Sequence, residues 1–136
     1  RWDICRKNWK VVKITKNATD VEKIVMPNTI EEILDANNNL LNISSDGVFM
    51  ECTNLKEIVW SSKLWKIGTA AFANCSSLET ITIPESVTSM GSYVFKGCTS
   101  LKTIYVPFTE GNEPPGWDIN WKEGCNAEVI YKTETE

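Results

Sequence analysis

The chain has 136 residues, a length typical of one domain, and its apolar share of 42% and charged share of 24% are ordinary for a folded protein. The net charge of −4 and the lack of a lysine and arginine cluster argue against a nucleic-acid-binding surface. No apolar run approaches the roughly 20 residues that span a bilayer, so we predict no transmembrane segment.

The residue inventory also argues against catalysis. The chain contains five cysteines and no histidine, which excludes Ser-His-Asp and Cys-His catalysis and zinc ligation by imidazole. The cysteines include no Cys-x-x-Cys pair, so zinc ribbons and thioredoxin-type redox motifs are not expected. No spacing isolates a pair of carboxylates for glycoside hydrolysis. We therefore predict a protein that is not an enzyme, with no metal site and no cofactor.

The chain begins with Arg1 and shows no apolar signal core, which favours a mature form or a fragment of a longer protein. Residues 1–20 are interpreted as an N-terminal coil or cap. Within them KVVKIT, from Lys10 to Thr15, has the composition of a strand and is assigned to an opening coil.

An internal repeat dominates the rest of the chain. Four columns of residues recur every 23 positions across three units: Phe49, Phe72 and Phe95; Cys52, Cys75 and Cys98; Leu55, Leu78 and Leu101; Ile58, Ile81 and Ile104. A fixed period of this length is the mark of a solenoid, in which each unit is one coil.

A looser copy precedes these units. VEKIVMPNTIEEI, from Val21 to Ile33, matches LETITIPESVTSM, from Leu78 to Met90, at an offset of 78 − 21 = 57. That offset is two repeats, 2 × 23 = 46, plus 11. The excess predicts an insertion near 34–39, where three consecutive asparagines are typical of a loop.

One coil is predicted from the segment that starts at Leu78. Ile81 and Ile83 alternate with threonines, the period of a half-buried strand, and Pro84 ends the strand because it lacks an amide donor. Gly91 permits a tight backbone path, and residues 92–96 have room for about one helical turn. Stacked coils place like residues on like residues and line up their strands as a parallel sheet.

The unit IPESVTSMGSYVFKGCTSLKTI, from Ile83 to Ile104, resembles the BspA-like leucine-rich repeats of bacterial surface proteins. The resemblance covers residues 40–107 closely and 21–33 loosely, and the tail from Gly116 to Tyr131 resembles C-terminal segments of such proteins. It implies a secreted or cell-surface protein that acts as an adhesin, binding host extracellular-matrix proteins or other cells. Family members are often much longer than this chain.

The full prediction is a single domain over residues 1–136 in the α/β solenoid class. It is a right-handed leucine-rich repeat of about four or five coils, each one repeat long, with a parallel concave β-sheet and short helical turns on the convex side. Residues 21–107 hold the repeats, and residues 108–136 form an aromatic C-terminal cap.

The cysteines and tryptophans each have two interpretations. Cys52, Cys75 and Cys98 are predicted to be small buried side chains with intact thiols, with disulfides between neighbours or a metal site as the alternatives. The tryptophans near the chain ends, Trp2, Trp9, Trp117 and Trp121, are predicted to cover the exposed ends of the solenoid. The alternative for this second group is a sugar-stacking or protein-binding platform.

The outward positions of the predicted strands are the candidate ligand-binding residues, because solenoids usually bind on the concave face. They are Glu57, Val59, Thr80, Thr82, Thr103 and Tyr105, and Lys23 and Val25 extend the stripe. We expect a non-enzymatic module that binds a protein there, with no nucleic-acid partner. The alternatives are a structural spacer within a longer surface protein and a carbohydrate-binding module that uses Trp117 and Trp121.

Overall fold

The structure, a computed structural model, describes residues 11–12, 21–33, 49 and 52–133, and of residues 11–12 only the backbone. These ranges contain ten short strands joined by turns. The strands are β1 (Val11–Val12), β2 (Lys23–Val25), β3 (Glu32–Ile33), β4 (Glu57–Val59), β5 (Lys66–Ile67), β6 (Thr80–Thr82), β7 (Ser89–Met90), β8 (Thr103–Tyr105), β9 (Gly116–Trp117) and β10 (Glu128–Ile130). No helix long and apolar enough to cross a membrane is found among these residues.

The strands alternate between two parallel arrays, so that each coil gives one strand to each. The three-residue strands β2, β4, β6, β8 and β10 form what we call the front sheet, and the two-residue strands β1, β3, β5, β7 and β9 form the second sheet. All pairs are parallel. The predicted parallel sheet is therefore confirmed, and β1 confirms a strand within the predicted opening segment KVVKIT.

The strand register reproduces the sequence repeat. Ile81 pairs with Ile104, and 104 − 81 = 23 is the repeat spacing. Ile24 pairs with Ile58, and 58 − 24 = 34 exceeds that spacing by 11, the size of the predicted insertion. The insertion thus lies between β3 and β4, while residues 34–39 themselves lie outside the described residues.

The core runs along the stack between the two sheets. Phe49, Phe72 and Phe95 are fully buried, and their rings stack with centroids 5.1 and 5.9 Å apart. Burying one such side chain contributes about 1.5–3 kcal/mol, and stacked rings add more. No single coil encloses these rings, so the coils stabilise one another.

The second sheet was not predicted. Its strands hold two residues each, which is too short for any alternation to show in the sequence. Ile33, Ile67 and Met90 nevertheless point into the core. Where both sheets are continuous, neighbouring coils are therefore held together by hydrogen bonds on two sides.

The predicted helical turns are absent from the described residues, where segment 92–96 forms bends and turns. Tyr93 N–H and Val94 N–H donate to carbonyls of the next coil, those of Asn120 and Trp121, whereas Lys96 N–H donates to the Tyr93 carbonyl within the turn. Ala70 and Tyr93 also have φ values of 58° and 54°, which a right-handed helix does not allow. Hydrogen bonds between coils, together with isolated turns, therefore stand where helical turns were predicted.

The predicted C-terminal cap is a further coil as well as a cover. Gly116 pairs with Ser89 and Glu128 pairs with Thr103, so residues after Pro107 extend both sheets. The offsets, 116 − 89 = 27 and 128 − 103 = 25, exceed the repeat of 23, so this coil does not align with the sequence repeat.

The front sheet is not continuous, contrary to the single sheet predicted. It consists of the pair β2–β4 and the triple β6–β8–β10, and β4 is not hydrogen-bonded to β6. Trp60 follows β4 at the position that Ile83 holds in the next coil. Its ring stands edge-on to Phe72 at 5.7 Å. The break between β4 and β6 thus lies next to the position where this coil has a tryptophan and the next coil has the smaller isoleucine.

We expect Gly91→Ala to destabilise the fold by about 2 kcal/mol or more, because a Cβ there would lie 2.4 Å from the Thr69 backbone nitrogen. The control is Gly111→Ala. Gly111 has a φ of +84° and no atom within 4 Å of its added Cβ, so its cost is the backbone strain alone, about 1 kcal/mol. Urea denaturation of both variants measures the difference, and equal costs would contradict the tight coil contact.

Candidate binding face

The predicted site residues all lie on the front sheet and on its outer side. Glu57, Val59, Thr80, Thr82 and Tyr105 are exposed, and Thr103 is half-buried. Between them Ile81 and Ile104 are buried, because successive side chains of a strand point to opposite faces. The placement was predicted from the alternation of residues. Their role in binding remains a prediction.

The face extends over both neighbouring coils. Lys23 and Val25 on β2 are exposed, as predicted, and Glu128 and Ile130 on β10 join them. Sequence analysis missed the β10 residues because the segment was interpreted as a cap. The alternation in Glu128-Val129-Ile130 is present in the sequence, but the irregular spacing hides its alignment with β8.

The outer side chains form two rows across the strands. One row is largely apolar: Val25, Val59, Tyr105 and Ile130 are 50, 41, 45 and 37% exposed, with Thr82 among them. The other row is polar and includes an ion pair between Lys23 Nζ and Glu57 Oε2 at 3.4 Å. Both partners of that pair are well exposed, so it adds little stability. The front sheet thus presents a line of apolar groups beside a line of polar ones.

A cavity of about 220 Å³ lies where the front sheet is interrupted. Its lining comes from both sides of the break: Lys56, Glu57, Ile58 and Trp60 on one side, and Leu78, Thr80, Ile81 and Thr82 on the other. Four of these residues, Lys56, Glu57, Thr80 and Thr82, are exposed. The cavity therefore adjoins the face that holds the predicted site, and three predicted site residues line it.

The cysteine column is structural. Cys52, Cys75 and Cys98 are buried and free, as predicted, and the thiols of Cys75 and Cys98 donate to the carbonyls of Phe49 and Phe72 at 3.3 and 3.1 Å. Burial raises the pKa of Cys52 to about 11, and the hydrogen bond with Cys98, together with burial, raises the pKa of Cys75. Such thiols are poor nucleophiles.

Cys125 adds a fourth buried thiol at the end of the column. Its amide donates to the carbonyl three residues earlier, as the amide of Cys98 does. Cys5 lies outside the described residues. Within the described ranges, no three Cys, Asp or Glu side chains come together as a metal site.

The tryptophans of the last coil cover the core. Trp117 and Trp121 are 7 and 9% exposed, and their rings meet edge to face at 5.1 Å. Trp121 also packs edge-on against Phe95, and Trp117 Nε1 donates to the Val87 carbonyl. The burial of both rings agrees with the capping interpretation, and buried ring faces do not favour the sugar-stacking alternative for these two residues. Trp2 and Trp9 lie outside the described residues.

Comparison with known proteins places this architecture in a family. The family model of the BspA type leucine rich repeat region matches residues 13–111 in six copies. The chain belongs to the BspA-type leucine-rich repeat family. The predicted resemblance is thus confirmed, while the six matched copies exceed the four or five coils predicted.

Two solved structures are similar to this BspA-type chain. A leucine rich cell surface protein from Faecalibacterium prausnitzii A2-165 has a TM-score of 0.57 and 24% identity over 85% of this chain. A leucine-rich repeat protein from Bacteroides ovatus has a TM-score of 0.46 and 20% identity over 83% of it. The matches span 33 and 43% of those chains. The first likeness shows the leucine-rich repeat fold. A comparison with curated proteins finds no match.

We expect the stability of the wild type to fall as the pH rises from about 9 towards about 11. The Cys52 thiol has an ordinary pKa of 9.0 when unfolded and stays protonated in the fold up to about pH 11. Above pH 9 the unfolded chain therefore binds fewer protons than the folded one, which favours unfolding by up to about 1.4 kcal/mol per pH unit.

Cys52→Ala is the matched variant, since it removes the thiol while leaving every other titrating group in place. We expect a lower stability at neutral pH and a shallower fall above pH 9 than in the wild type. Urea denaturation at several pH values measures both. Parallel pH profiles would show that the Cys52 thiol does not contribute.

Proposed function

We propose that the chain is a non-enzymatic protein-binding module and that its partner binds the front sheet. The observation that carries this proposal is the row of exposed apolar side chains formed by Val25, Val59, Tyr105 and Ile130. Interfaces concentrate their binding energy in a few such anchors, and tyrosine is among the residues most enriched there. The row lies on regular strands, so its side chains are held in place before a partner arrives.

The polar row beside it supports the same proposal. Lys23, Glu57 and Glu128 flank the apolar line, as a polar rim flanks the apolar centre of many interfaces. The two signs of charge on this row do not favour a polyanion. A protein surface with its own apolar centre and mixed charges is the partner that this face suits best.

The family and one similar structure support a proposal about the location of the chain. The similar protein from Faecalibacterium prausnitzii is a cell surface protein, and we propose that this chain is likewise secreted or held at the cell surface. An extracellular-matrix protein of a host, or another cell-surface protein, is then the partner class to test first.

A second candidate function is a structural spacer that presents other domains of a longer surface protein. The observation in its favour is length, because this chain spans 33% of the Faecalibacterium prausnitzii chain. A spacer requires no ligand on the front sheet, so a binding test separates the two candidates.

We expect the purified chain to bind immobilised fibronectin or fibrinogen in a saturable way. The double variant Val59→Lys/Tyr105→Lys should weaken that binding about tenfold or more, because it places two charges in the apolar row. Surface plasmon resonance on the two immobilised proteins measures the affinity.

The matched control is Trp65→Lys/Tyr93→Lys, which adds the same charge at apolar positions outside the front sheet. Trp65 and Tyr93 are 43 and 40% exposed, close to the 41 and 45% of Val59 and Tyr105. Binding that survives in the front-sheet variant and is lost in the control would move the site elsewhere. The absence of binding by the wild type would favour the spacer.

A further inference from the structure

The break in the front sheet affects only one side of the stack. β5 pairs with β7 through Ile67 and Met90, so the same two coils remain hydrogen-bonded on the second sheet. In the core, the rings of Phe72 and Phe95 from these two coils also remain stacked, with their centroids 5.9 Å apart. The coils are therefore joined at the back and open at the front, between β4 and β6.

Among the described residues, the break leaves two strand edges that face each other with no backbone hydrogen bond between them. Glu57 N–H and the Val59 carbonyl bond to the coil before, so the strand alternation directs the peptide groups of Ile58 and the amide of Trp60 towards β6. Ile83 N–H bonds to the Tyr105 carbonyl of the coil after. The same alternation directs the peptide groups of Thr80 and Thr82 towards β4. No backbone hydrogen bond of the described residues crosses this break.

Side chains at the break support an opening rather than a distorted pairing. Ile58 is half-buried, whereas Ile24, Ile81 and Ile104 at the same position of β2, β6 and β8 are buried. Val129, at this position of the edge strand β10, is half-buried as well. The cavity of about 220 Å³ reaches Ile58 and the core residue Leu78. The cavity thus extends from the front face to the edge of the core, where Ile58 and Trp60 are half-buried while Leu78 and Ile81 are buried.

We infer that this cleft binds one extended peptide segment of the protein partner, which completes the front sheet by pairing with the edges of β4 and β6. The inference rests on the proposed function, since it names how the front sheet holds its partner. Unpaired amides and carbonyls that alternate along a strand edge match the backbone of another strand, and adding a strand to such an edge is a common mode of peptide recognition.

The lining favours a peptide over other ligands. Lys56 and Glu57 at the rim carry opposite charges, so the cleft selects neither an anion nor a cation. The floor, formed by Ile58, Leu78 and Ile81, is apolar and suits one aliphatic side chain of an inserted segment. Both facing strands have three residues, which at about 3.3 Å per residue matches a segment of three to five residues.

The test uses the full chain and the capped pentapeptide acetyl-Thr-Val-Thr-Val-Thr-amide, followed by NMR amide exchange. In the free protein the amides of Thr80 and Thr82 should exchange fast, while the amides of Ile81 and Ile83 are protected. Saturating peptide should slow exchange at Thr80 and Thr82 by about tenfold or more. A twin peptide with alternate amides N-methylated, which cannot pair with a strand edge, should give no protection.

Trp60→Ile places at this position the isoleucine that the next coil carries as Ile83. It should close the break, protect Thr80 and Thr82 without peptide, and weaken peptide binding about tenfold or more. Trp65→Ile, the same exchange at an exposed position, should leave peptide binding unchanged. If Trp60→Ile does not fold, Thr82→Pro replaces it, because that change removes an amide that faces the cleft.

Three results would overturn the inference: no binding of the pentapeptide, protection at the outer edge of β10 instead of β6, or binding that Trp60→Ile and Thr82→Pro leave intact. The proposed function is judged separately. Matrix-protein binding that Val59→Lys/Tyr105→Lys abolishes, in a chain whose cleft takes no peptide, would keep the front sheet as the binding face and remove only the strand-insertion mode.

Discussion

The fold depends on the stacking of coils that cannot fold alone. Each coil is one repeat long and has no partner for its apolar side except the coils before and after it. The phenylalanine rings show this dependence. The ring of Phe72 stacks with Phe49 of the coil before and with Phe95 of the coil after. Every other feature follows the requirement that successive coils remain about one strand spacing apart.

That requirement explains both the closest backbone contacts and the exposed face. Gly91 lies where a coil passes within van der Waals contact of its neighbour, so no side chain fits. The buried thiols donate hydrogen bonds to carbonyls of the coil before, which satisfies polar groups inside the stack. Because the inner positions of every strand are committed to stacking, the outer positions are the ones that can contact a partner. That is why the front sheet is the candidate binding surface.

The break between β4 and β6 is the exception to uniform stacking, and it lies in the candidate binding face. The two coils there keep their contacts in the core and on the second sheet, so the opening costs only the hydrogen bonds of one strand pair. Unpaired strand edges are usually covered in native proteins because they invite pairing. An edge left open next to exposed apolar groups is consistent with a place where a partner's chain pairs.

The sequence by itself determined the repeat, the inward and outward residues of the front strands, the insertion before β4 and the family, because each depends on regular spacing. Only the tertiary structure decided the second sheet, the extra coil after Pro107 and the break beside Trp60. Two-residue strands such as Ser89–Met90 are too short to leave a periodic signal, and the last coil departs from the period. The break lies beside Trp60, whose ring packs edge-on against Phe72 of the same coil, and the sequence spacing carries no information on how such a large side chain packs.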